Sequence, residues 1–97
     1  MGRRKQFPKI KVSVSGHYRL IRLPSSQMGN YIGMNFYAAR ELGFPFPYSP
    51  NVIALVEGLE GKKASDTLRH EKIEIALMKK GYKYKEAHQV AKTLERG

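Results

Sequence analysis

Cysteine is absent from this 97-residue chain, which excludes disulfide staples, thiolate zinc sites and a cysteine nucleophile. Acidic residues are missing from the first forty positions, which hold eight Lys/Arg. No apolar run approaches the ~18 residues of a membrane span. Met1-Gly2-Arg3-Arg4-Lys5 resembles the start of a signal peptide, but Pro8-Lys9-Ile10-Lys11 follows where the apolar segment should be. A soluble, cytoplasmic or otherwise intracellular protein without membrane contact is expected. Gly16, Gly29, Gly33 and Gly43 form no phosphate-cradling fingerprint, and no Walker-type loop is present. No serine lies in a Gly-x-Ser-x-Gly elbow. Internal repeats and low-complexity tracts are lacking too.

What is present fits one small domain. A hydrophobic fraction of 41% is ordinary for a folded chain. The formal net charge is +10. Residues 1–40 contribute +8, whereas residues 41–97 set ten Lys/Arg against eight acids. Such asymmetry suggests attraction to a polyanion, usually nucleic acid. Small proteins from hot environments and many viral proteins are equally basic without a dedicated site.

Residues 1–8 read as a flexible basic arm and 9–97 as a single α+β domain. Lys9 to Ser15 alternates, with Ile10, Val12 and Val14 on one face. Ser15-Gly16 offers a tight turn, and His17 to Leu23 reads as a second strand. The resulting hairpin would present Lys9, Lys11, Arg19 and Arg22 to solvent. Pro24-Ser25-Ser26 breaks the strand. Residues 30–42 are helical in their later part, and Gly43 ends that helix. Phe44-Pro45-Phe46-Pro47 excludes a regular element and suits a loop packed over the core. Asn51 to Val56 is a buried strand, followed by a loop to Ala64. A long helix capped by Ser65 or Asp66 runs to Lys79-Lys80-Gly81, and a last helix spans Lys85 to Glu95 with the stripe Ala87, Val90, Ala91, Leu94. The expected fold is α+β: a small antiparallel β-sheet, one early helix and a C-terminal helical hairpin. His17 is expected at the surface, and Tyr18, Tyr31, Phe36 and Tyr37 in the core rather than stacked on bases.

The long helix carries its acids where apolar residues belong. At about 100° per residue, Arg69, Lys72, Lys79 and Lys80 share one side, and Glu74 falls opposite with His70, Ile73, Leu77 and Met78. A buried carboxylate must pair with a cation or a hydrogen-bond donor, or else protonate. His70 lies one helical turn before Glu74. Glu74 and His88 stand seven residues either side of Gly81, so an antiparallel hairpin brings them level. His70, Glu74 and His88 therefore form a candidate cluster of two imidazoles and one carboxylate, suited to zinc with a fourth position open. Glu71 is the candidate general base. A metal-free His–Glu network across the hairpin would satisfy the same side chains. Both alternatives require contact between Glu74 and His88.

His70-Glu71-x-x-Glu74 resembles the HExxH helix of zincin metallopeptidases, in which two histidines bind zinc and the glutamate activates water. From about Asn51 to Glu95 the chain also looks like small HExxE proteins of phages and archaeal viruses or mobile elements. Their pattern continues here as Met78-Lys79-Lys80-Gly81, Tyr84 and Ala87-His88. The resemblance covers under half of the chain. It implies a minimal zincin-like fold, His70 as first ligand and Glu71 as base. Glu74 corresponds by position only, because the peptidases carry a second histidine there, and His88 is inferred from the hairpin. Two functions follow: a small zinc-binding protein, a metallopeptidase-like hydrolase of degenerate motif; or a non-catalytic basic protein of a virus or thermophile. In the second, Arg3, Arg4, Lys5, Lys9, Lys11, Arg19 and Arg22 would neutralise DNA or RNA phosphates.

Overall fold

The strand Val52–Val56 is apolar at every position and buried over its first four residues, the signature of a strand covered on both faces. It is the centre of a three-stranded sheet. The computed structural model describes residues 17–96. The elements run β1 (Arg19–Leu23), α1 (Ser25–Met28), β2 (Gly33–Asn35), α2 (Phe36–Leu42), β3 (Val52–Val56), α3 (Gly61–Lys79) and α4 (Tyr84–Arg96). The α+β class and the C-terminal helical hairpin are as the sequence predicts. The sheet is mixed rather than purely antiparallel: β1 runs parallel to β3, and β2 runs antiparallel to it. A parallel pair needs a crossover, and here α1, β2 and α2 all intervene between β1 and β3.

Two elements lie where the sequence suggests breaks or loop. Pro24 ends β1 as expected and also leads into the short helix α1, its carbonyl accepting from the Gln27 and Met28 amides. Three residues, Gly33-Met34-Asn35, make β2. The helix α3 begins at Gly61, not at Ser65 or Asp66, and no side chain caps it. Asp66 instead sits inside the helix and accepts from Lys62 at 2.8 Å. Leu94 of the predicted α4 stripe is 37% exposed. The strand Lys9–Ser15, its hairpin and the basic arm lie outside the described residues. His17 is exposed, as expected. Tyr18 and Tyr37 pack against the core, and Phe44 and Phe46 of the proline-rich loop do likewise.

Strand register decides which side chains meet α3. Residues directly opposite in a pair share a face of the sheet. Gly33 faces Leu55 and Asn35 faces Ile53, so both lie on the side where Ile53 and Leu55 pack against Ile75 of α3. Met34 and Ala54 project to the other side, against Met28, Ala38 and Ala39. Ile73 and Leu77 bury a second apolar face of α3 against Ala87, Val90 and Ala91 of α4. Among the described residues no helix is long and apolar enough to cross a membrane.

Candidate metal centre

Between its sheet-facing and α4-facing sides, α3 turns a polar stripe inward: Thr67, His70, Glu71 and Glu74, all buried. Their spacing of three, four and seven residues is that of one helix face. The turn after α3 sets what they meet. Gly81, at φ 105°, donates to the Met78 carbonyl and Tyr82 to the Leu77 carbonyl, a Schellman ending that few residues but glycine accept. Two carboxylates then fix the start of α4. Glu86 accepts from the Lys83 amide at 3.0 Å, and Glu41 of α2 accepts from the Tyr84 amide at 3.1 Å. Negative charge at a helix N-terminus is favourable.

The hairpin so fixed brings His70, Glu74 and His88 together, as the spacing predicts. The Oε2 atom of Glu74 lies 2.7 Å from His70 Nε2 and 2.7 Å from His88 Nδ1. The two ring nitrogens are 3.1 Å apart. Three donor atoms thus converge on one point. In a tetrahedral zinc site with bonds of about 2.0–2.1 Å the donors stand about 3.3–3.4 Å apart, so the two rings must each move away from the carboxylate oxygen by roughly half an ångström or slightly more. His88 is partly exposed, which leaves one side open to a cavity of about 360 Å³. Glu71, Tyr31, Tyr84 and Lys92 also line that cavity.

The two acids of the stripe are driven apart electrostatically. Burial alone pushes the Glu74 carboxyl up. Hydrogen bonds from His70 and His88, with the charge on those rings, outweigh it and hold Glu74 below the usual carboxylate range. For Glu71, burial and the neighbouring Glu74 carboxylate prevail over Asn35 and His70, and its pKa is pushed up to about 8. At neutral pH one acid is ionised and the other carries a proton, which is how a site separates a ligand from a proton carrier.

Two contributors escaped the sequence reasoning, and a third, Tyr84, entered it without a role. Asn35, fully buried, donates to Glu71 Oε1 at 2.8 Å and to Glu74 Oε1 at 3.2 Å. Its position before Phe36 marks it as a helix cap, but nothing local points to acids 36 and 39 residues onward. Gly33 lets α3 approach β2, since a Cβ there would lie 2.7 Å from Thr67 Cγ2 and 2.8 Å from Glu71 Oε2. Tyr84 stacks on His88 at 5.1 Å between ring centroids, with its hydroxyl 3.2 Å from Nδ1. Burial first, then Glu74 and Glu71, push its phenol above the ordinary value.

Of the proposed nucleic-acid contacts, Arg19 and Arg22 are exposed on β1, and Arg22 donates to the Leu59 carbonyl at 2.6 Å. Arg3, Arg4, Lys5, Lys9 and Lys11 lie outside the described residues. Compared with models of protein families, with curated proteins and with solved structures, the chain matches none.

Proposed function

We propose that His70, Glu74 and His88 hold a divalent transition metal, zinc by the chemistry of the donors, in a minimal zincin-like protein with hydrolase chemistry. The convergence of three donor atoms at 2.7–3.1 Å beside an open cavity carries this reading. Two imidazoles and a carboxylate are the donors of catalytic zinc with one position left open. A zinc ion held there would supply Lewis acidity and ease the loss of a proton from water. Glu71 takes the base's place in the resemblance. Because Glu71 carries its proton at neutral pH, its action as a base would grow as pH rises toward about 8. Elemental analysis of the purified full chain tests the proposal. One equivalent of zinc is expected, with none retained by His70→Ala; a metal-free wild type loaded in zinc-containing medium rules it out.

A second reading has its own observation. Arg40, Lys79 and Lys83 line a separate concavity of about 620 Å³ together with Glu41, Tyr82 and the half-buried Tyr37. Cations interleaved with aromatic rings suit a single-stranded nucleic acid, and the basic residues 1–22 would add phosphate contacts. Affinity for DNA or RNA should then fall steeply with salt and fall again when Arg3, Arg4 and Lys5 are removed. A salt-independent response eliminates it.

A further inference from the structure

We infer that Asn35 is the positioning residue that makes Glu74 a one-oxygen ligand, and so adds to the preference of the two imidazoles for a small four-coordinate ion over a larger one such as calcium. This rests on the metal reading above. The amide orientation follows from its contacts. Asn35 Oδ1 accepts from the Ala38 amide at 2.9 Å, capping α2. The reverse orientation would aim a carbonyl oxygen at two carboxyl groups and leave the cap unmade. Both hydrogens of the Asn35 Nδ2 group are therefore committed, one to Glu71 Oε1 and one to Glu74 Oε1.

The consequence falls on Glu74. Its Oε1 is held by Asn35, while its Oε2 faces both imidazoles. An ion entering between the rings meets Oε2 alone. Two-oxygen binding would require the carboxylate to rotate until Oε1 also faced the ion, away from the amide that holds it. Calcium takes six to eight oxygens and favours two-oxygen carboxylates, whereas zinc is satisfied by three protein donors and one open position. Side chains behind the ligands typically set metal affinity by about 10–100-fold. Asn35 cannot drift, because the same side chain caps α2.

The test uses the full chain and Asn35→Ser. Serine keeps a cap oxygen for Ala38 but is too short to reach the acids. Zinc and calcium affinities are measured by calorimetry, and coordination number is read from the visible spectrum of the cobalt(II)-loaded protein. Wild type should bind zinc far more tightly than calcium and give the intense spectrum of four-coordinate cobalt. The variant should bind zinc about 10–100-fold more weakly, narrow the zinc-to-calcium ratio and give a weak five- or six-coordinate spectrum. A variant with unchanged zinc affinity, ratio and spectrum overturns the inference and leaves the metal reading standing. A wild type that takes up neither zinc nor cobalt overturns both. Should the variant not fold, NMR of the wild type decides. The Asn35 amide protons should stay protected from exchange and shift as zinc is added; freely exchanging or unmoved signals overturn the inference.

Discussion

Two of the buried sides of helix α3 differ in everything but burial. Toward α4 it presents Ile73 and Leu77 among Ala87, Val90 and Ala91. One step around, it presents His70, Glu71 and Glu74 to Asn35 and His88. The apolar side is satisfied by any close fit, whereas the polar side is satisfied only by particular partners at particular distances. The apolar side therefore holds the hairpin together, and the polar side specifies what the hairpin holds.

Truncating one residue on each side separates these roles. Glu74→Ala removes from a buried site the acceptor shared by two histidines and Asn35, so a loss on the order of 3–5 kcal/mol is expected in urea unfolding. Zinc uptake should vanish with it. Leu77→Ala should cost about 2–4 kcal/mol through the cavity it opens, while the folded fraction still binds one zinc. If both variants lost metal equally, the division of labour would be wrong.

The acids sharpen the comparison through pH. Glu71 has a folded pKa of about 8 against an ordinary 4.5. Its contribution is fully present below the unfolded value and is lost as pH rises toward 8, because the folded state holds the extra proton. Glu74, held low, contributes stability above the unfolded value, and this is lost as pH falls through its folded pKa. Glu71→Gln should therefore stabilise the metal-free protein on the order of 1–3 kcal/mol near pH 8 and flatten the decline between pH 5 and 8 in thermal melts. An unchanged slope would show that Glu71 does not carry it.

The smallest effect concerns the approach of α3 to the sheet. Gly33→Ala places a methyl group against Thr67 and Glu71 and should cost about 1–2 kcal/mol by overpacking. Its melting temperature should drop by less than that of Leu77→Ala, and a drop as large would mean that α3 cannot yield.

Local pattern was enough for much of this. The run Val52 to Val56 reads as a buried strand because neither face meets water. The inward Glu74 of α3 is visible because 3.6-residue periodicity sets it opposite Arg69, Lys72, Lys79 and Lys80, and Gly81 marks the pivot that levels it with His88. Contributions from afar were not visible. Three residues are too few for β2 to show alternation. The parallel pairing of β1 with β3 depends on a crossover, not on either strand's composition. The start of α3 at Gly61 defies cap preferences, so the sequence pointed to Ser65 and Asp66 instead. Asn35 looks like any helix cap until the tertiary fold sets acids against its amide.

The link from Lys80 to Lys83 acts as a ruler. One residue more, if carried into α4, would swing the His88 ring by about 100° around its helix, toward water or into the alanines. Substitution of its exposed lysines leaves that length intact, so surface chemistry at this end of the molecule is free to change while the spacing beneath it is not.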